Sequence, residues 1–202
     1  MPLIEKALFQ KFIALLLIFA FLSVGNISSA TEIKKAESFV EYLSDSIIRL
    51  VESDISPEQK HFKLEALLKN NASINTISRA ALGVKWRLID ENEKKEFSSA
   101  FTNYLVKKYG KQFDEFQGAT MAVERSIDAG KRGILVSTRF IMPGTSPISV
   151  KWQVWKQKGA MKLVDIIIEN ISMLTMEREE IKNRLVSNKG SLDDLIAELI
   201  SR

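Results

Sequence analysis

The chain contains no cysteine and a single histidine, His61. Disulfides, Cys-based metal sites and multi-His metal sites are therefore excluded. The motifs that announce common chemistries are missing as well: there is no GxGxxG, no P-loop, no GxSxG and no HExxH. Neither sign of charge dominates, with 29 Lys and Arg against 25 Asp and Glu. The basic residues are scattered among acids, which gives no case for nucleic acid. Composition is that of an ordinary globular chain, 46% hydrophobic and 27% charged.

Candidate catalytic groups are few. His61 follows "EQK" on the polar side of a helix, where a solvated histidine is the usual finding. The carboxylates of "IDENEKKEF" and "MEREEIK" fall at helix starts, where acids oppose the helix dipole favourably. Asp165 stands out because it lies inside an apolar strand. It reads as a strand-edge residue or a partner for a nearby cation; the other reading, a general base, has no second carboxylate beside it in sequence. These absences point away from an enzyme and give no place for a metal or cofactor.

Only one long hydrophobic run occurs. "FIALLLIFAFLSV" follows Lys6 and Lys11, and its thirteen or so residues fall short of the ~20 needed to span a bilayer. "GNISSA" comes next, with Ser28 and Ala30 as the small residues of a cleavage site. That layout reads as a cleavable secretory signal peptide over residues 1–30 in preference to an uncleaved membrane anchor, because the run is short and its exit small and polar, and it leaves one domain over 31–202. The mature chain then carries 27 basic and 24 acidic residues, net +3. Export without cysteine suits a periplasm, where disulfides are permitted but not required.

The mature chain begins with helical patterning. Ala36, Phe39, Val40, Leu43, Ile47, Leu50 and Val51 recur at three and four. "SPEQ" starts a second helix, with Ser56 as cap and Gln59 able to complete a capping box. "INTISRAAL" makes a short third helix closed by Gly83, and "DENE" repeats the capping pattern before the long helix that carries Phe97, Phe101, Tyr104, Leu105 and Tyr109. The period then changes. Turn signals at "DAGKRG", "PGTSP" and "KQKGA" divide a β-branched, aromatic-rich stretch into four strands, about 120–127, 133–142, 148–156 and 161–169. Short links make an antiparallel meander the natural topology. Two further helices close the chain, and Leu192, Leu195, Ile196, Leu199 and Ile200 stripe the last one. Helices, four strands, then helices is an α+β order. Strand alternation in "DIIIENISM" points Ile166 and Ile168 one way and Ile167 the other, so both faces of this strand ask for cover.

One sheet offers one face for burial, yet several helices carry broad apolar stripes. Such an arrangement either closes fully or leaves an apolar cavity between layers. Trp86 and the stripe Phe97, Phe101, Leu105 read first as ordinary core and second as pocket contacts.

These residues resemble a known pattern. Leu82, Gly83, Trp86, Arg87, Phe97, Phe101 and Tyr109 in "LGVKWRLIDENEKKEFSSAFTNYLVKKYG" are similar to the MlaC family, also called toluene-tolerance proteins. "KLVDIIIENISMLTMEREEIKNRL" resembles that family's closing block through Asp165, Glu169, Ser172 and Arg178, and "GSLDDLIAEL" resembles its end. Three positions depart from the pattern: Met161 where Trp is frequent, Asn170 where Gly is favoured, and Glu177 where Tyr is common.

The resemblance implies a periplasmic carrier of glycerophospholipids, monomeric and without cofactor, the lipid being its cargo. Its partners would be an inner-membrane ABC transporter with an MCE-domain protein and an outer-membrane lipoprotein–porin complex. Shuttling lipid between them would maintain outer-membrane lipid asymmetry. The implied fold is an antiparallel sheet with N- and C-terminal helices enclosing an apolar pocket. Pattern suggests a lining from the last two strands and the long helix: Trp86, Phe97, Phe101, Leu105, Val150, Trp152, Val154, Leu163 and Ile167. The competing expectation is an exported adaptor with a closed core and no ligand.

Overall fold

The computed structural model describes residues 24–111 and 116–201. Most of the expected signal peptide, residues 1–23, lies outside the described residues. Its remainder belongs to the first helix, α1 (Val24–Glu52).

Helices α2 (Pro57–Asn71), α3 (Ile74–Leu82) and α4 (Glu91–Gly110) follow, with a 3-10 turn at Gly83–Arg87. Their starts are set by local chemistry. Ser56 accepts a hydrogen bond from Gln59 N at 3.3 Å while Gln59 Oε1 accepts from Ser56 N at 3.1 Å. Asp90 and Glu93 repeat this reciprocal pair, with Asp90 Oδ1 accepting from Glu93 N at 2.9 Å and Glu93 Oε2 from Asp90 N at 2.7 Å. Each pair satisfies donors that a helix start leaves free.

Strands β1 (Thr120–Asp128), β2 (Ile134–Ile141), β3 (Ile148–Gln157) and β4 (Ala160–Ile168) form the expected antiparallel meander. A fifth strand, β5 (Ile171–Ser172), adds to the edge of β4. It is two residues long, too short for alternation to reveal in a sequence. Helices α5 (Met173–Ser187) and α6 (Leu192–Ser201) complete the chain. Among the described residues no helix is long and apolar enough to cross a membrane.

Register shifts occur on two strands, at Glu124 of β1 and at Val164 of β4, and the second governs which side chains of β4 meet those of β3. Gln153 pairs with Asp165 and Val154 with Leu163, so Val164 is an extra residue on β4. A bulge of this kind reverses the side-chain alternation beyond it. Leu163 consequently shares a face with Ile166 and Ile168, opposite Val154, Trp152 and Val150. Ile167 pairs with Lys151 on the other face.

Helix α1 lies along β1 and β2 and reaches β4. The remaining helices pack largely on one another, α3 on α5, α4 on α6 and α2 on α4. This helical group is tied to β4 by backbone: Ser73 N donates to Leu163 O at 2.8 Å, beside a parallel bridge from Ala72 to Leu163.

Candidate functional site

Two large apolar clusters make up most of the described interior, beside a small third one around Leu50 and Val51 at the end of α1. The first lies between the sheet and the early helices. Ala36, Val40 and Leu43 of α1 face Val136, Val150, Trp152, Val154 and Leu163, all buried. Fifteen hydrophobics packed against its twelve buried members remain only partly buried, among them Phe39, Leu67, Phe116, Met121, Ile166 and Ile168. The second cluster joins α3 to α6 and the Gly83–Arg87 turn. There Trp86, Phe97, Phe101, Tyr104, Ile181, Leu195 and Leu199 belong to twelve buried residues, flanked by only four partly buried ones among the described residues. The helical cluster is thus closed inside, with an open surface groove of about 400 Å³ on its outer side lined by Glu96, Ser99, Ala100, Asn103, Ile196 and Ile200. The sheet-side layer keeps apolar surface that its own side chains do not cover, surface whose removal from water is favourable at about 25 cal/mol per Å².

The structure therefore distributes the nine expected lining residues over three places. Val150, Trp152, Val154 and Leu163 meet in the sheet-side layer. Trp86, Phe97, Phe101 and Leu105 belong to the helical cluster. Phe97 and Phe101 stack there with ring centroids 5.5 Å apart, and Lys94 Nζ sits 5.8 Å above the Trp86 ring. Ile167 projects from the opposite face because of the bulge at Val164. The lining expected from the last two strands and the long helix is not one surface. Sequence reasoning omitted Phe39, Leu67, Phe116 and Met121, which do face the layer. The α1 stripe was the signal for Phe39; nothing local marked Phe116.

The layer contains little polar chemistry. Thr138 is fully buried; its Oγ1 donates to Val150 O at 3.0 Å and accepts from Trp152 Nε1 at 3.0 Å. That closes the indole N–H within the protein, and Phe140 leans on the Trp152 ring at 6.3 Å. Ser126 on the same face of β1 and Ser44 on α1 keep buried hydroxyls without a partner among the described residues.

Both buried carboxylates lie elsewhere. Asp165 accepts from Ser172 Oγ at 2.6 Å and from Leu174 N at 2.9 Å, so it fixes the start of α5. This is a strand-to-helix tie, and no ion pair to Asp165 occurs among the described residues. Glu177, 3% exposed, receives Lys108 Nζ at 2.6 Å and the Tyr109 hydroxyl at 2.5 Å, both on Oε1. Burial, and the adjacent Glu177 carboxylate, push the Tyr109 hydroxyl far above the usual tyrosine range. Burial alone would lower the Lys108 ammonium, but Glu177 and Tyr104 more than reverse this and raise it. His61 Nε2 lies 3.3 Å from Asn103 Oδ1, between α2 and α4. Among the described residues no group of three or more His, Asp or Glu side chains is arranged to hold a metal.

Residues 38–201 match the sequence model of the family described as MlaC protein. The chain belongs to the MlaC family. Among solved structures it is similar to a phospholipid-binding protein from Ralstonia solanacearum, determined in complex with a phospholipid. The TM-score is 0.70 at 18% identity, covering 82% of this chain and 94% of that one, a likeness that establishes a shared fold.

The three departures from the MlaC pattern each have a structural account. Glu169 and Asn170 form the two-residue β4–β5 turn with φ of 48° and 68°. Asparagine is among the few residues other than glycine that adopt this conformation at little cost. Its Oδ1 also accepts from Lys151 Nζ at 2.9 Å. Glu177 is held by Tyr109, itself part of the MlaC pattern, as described above. Met161 is partly buried against the sheet-side layer, a position its flexible side chain suits.

Proposed function

We propose that this protein is a periplasmic phospholipid carrier whose acyl chains lie in the layer between the sheet and α1. The observation that carries the reading is the contrast between the two clusters: one closed, the other rimmed by fifteen partly buried hydrophobics among the described residues. Membership of the MlaC family supports it. So does the phospholipid bound by the structurally similar Ralstonia protein.

The physics of transport fits. An acyl chain exposed to water costs about 0.8 kcal/mol per CH₂. Two long chains cannot cross an aqueous space at that cost. An apolar layer lets the chains exchange between bilayer and protein with little change in free energy, so the partners set the direction. No bond is made or broken, and the layer holds no buried carboxylate or ammonium among the described residues. In this reading lipid is handed between an inner-membrane ABC transporter with its MCE-domain protein and an outer-membrane lipoprotein–porin complex, which would maintain lipid asymmetry.

Native mass spectrometry of protein purified from an expressing bacterium tests the reading. A bound diacyl lipid, lost on organic extraction, is the expected result. Protein that never carries lipid, and takes none from vesicles, would refute the carrier and leave the ligand-free adaptor.

A further inference from the structure

One end of the sheet collects positive charge. The meander brings the β1–β2 and β3–β4 turns to the same end, with Lys131 and Arg132 in the first and Lys158 in the second. The Lys156–Glu32 ion pair, 3.1 Å, brings the early part of α1 there too, adding Lys34. Glu32 Oε1 pairs with both Lys35 and Lys156, its buried Oε2 keeps no hydrogen-bond partner among the described residues, and Asp128 Oδ1 accepts from Gly130 N at 2.8 Å. Lys34, Lys131, Arg132 and Lys158 are exposed and make no ion pair among the described residues.

The cationic turn is held in place. Arg132 O accepts from both Gln153 Nε2 and Trp155 Nε1, each at 2.8 Å. Gly133 has φ of 76°, and a Cβ there would come within 2.3 Å of Trp155 Cδ1 and of Val154 O. The indole of Trp155 thus fills the space against the turn and remains partly exposed on the outward face, where Ile127 is 40% exposed. Fixed cations beside a partly exposed indole and an exposed aliphatic side chain combine the two features that a headgroup region accommodates: charge attraction and amphipathic aromatic contact.

We propose that this end of the sheet docks on the anionic surface of a phospholipid bilayer. The inference rests on the carrier reading, since the complexes that would exchange the lipid sit in bilayers, but it concerns a surface separate from the apolar layer. Each cation near an anionic membrane contributes about a fivefold gain in binding, so three together give roughly a hundredfold.

Co-sedimentation of the full chain, as the expressing cell leaves it, tests the surface. The vesicles are equal parts phosphatidylglycerol and phosphatidylcholine, with pure phosphatidylcholine as comparison. Binding is expected to the mixed vesicles alone, released on moving from about 0.05 M to about 0.5 M salt. The triple variant Lys131→Gln, Arg132→Gln, Lys158→Gln should lose roughly a hundredfold. A second triple, Lys63→Gln, Lys95→Gln, Arg178→Gln, removes equal charge elsewhere and should bind as the parent does. Absence of binding to mixed vesicles, or equal loss in both triples, would overturn the proposal. So would a first triple that keeps vesicle binding and loses only binding to polyglutamate, which would mark an acidic protein as the partner. Lipid content of the first triple by mass spectrometry separates the two ideas: cargo retained with docking lost supports the surface, whereas a parent protein without cargo counts against the carrier reading.

Discussion

The two clusters should respond differently to loss of a phenylalanine. Phe97 is fully buried, stacked on Phe101 at 5.5 Å with planes 11° apart. Replacing it by alanine removes a complete ring from a closed core, at about 3–5 kcal/mol. For a chain of this length each kcal/mol lowers the melting temperature by roughly 2–4 °C, so Phe97→Ala should melt on the order of 10 °C lower. Phe39 is partly buried against the sheet-side layer. Without cargo, its removal should cost only about 1 kcal/mol, a fraction of full side-chain burial. Cargo changes the comparison. A ligand at a hundredfold excess over its Kd adds about 2.7 kcal/mol to stability, so loaded protein should melt above extracted protein. Phe97→Ala should lower both melts together and leave the gap between them intact. Phe39→Ala should barely move the extracted melt while narrowing the gap. The assay is a pair of thermal melts per variant, loaded and extracted. A gap that closes with Phe97→Ala and survives Phe39→Ala would refute the assignment of cargo to the sheet-side layer.

Three further outcomes follow from single contacts. Asp165→Ala removes two charge-assisted bonds at the start of α5 and should cost about 3 kcal/mol in urea unfolding, whereas Asp165→Asn, which can still accept from Leu174 N, should cost about 1 kcal/mol; equal losses would contradict the helix-start role. Thr138→Val keeps the shape but strands the buried indole N–H of Trp152, so it should lose about 1–3 kcal/mol by the same assay, and a neutral result would mean that the N–H finds another acceptor. Tyr109 has a hydroxyl raised in the folded state by burial and by Glu177; because the folded value exceeds the unfolded one, its stabilisation is complete below about pH 10, the unfolded tyrosine value, and is lost as pH rises beyond it. Lys108, also raised, acts in the same direction, so Tyr109→Phe should make the alkaline loss of stability shallower without abolishing it, and an unchanged slope from pH 8 upward would show that Tyr109 does not contribute.

Much of this architecture was legible because it is written in local chemistry. The Ser56–Gln59 and Asp90–Glu93 boxes need only three-residue spacing, and both form. The α1 stripe is a periodic signal, and Ala36, Val40 and Leu43 are buried as that period requires. Facing on β4 was not legible. Strict alternation groups Leu163 with Ile167, but the extra residue at Val164 regroups Leu163 with Ile166 and Ile168. A bulge is a property of two paired strands, and one strand's sequence does not contain it. Nor does an apolar stripe say whether it meets a sheet or another helix. Phe97 and Phe101 had the right character for a lining, and the helices after the sheet claimed them instead.

The three isoleucines of β4 show why the division between clusters matters to a carrier. A protein that gives up its cargo must stay folded without it, so its stability has to come from contacts that the cargo does not make. Strand β4 has both kinds. Ile166 and Ile168 turn toward the open layer, with Trp152 and Val150 opposite them. At its other end the strand is tied to the helical group through Ser73 N and Leu163 O, and Asp165 anchors the first turn of α5. These are backbone and buried polar links to a cluster in which Phe97, Ile181, Leu195 and Leu199 are essentially inaccessible to water. Emptying the layer would therefore expose apolar side chains on one face of β4 without releasing the strand. In the carrier reading, the closed helical cluster is what allows the sheet-side layer to remain incompletely filled.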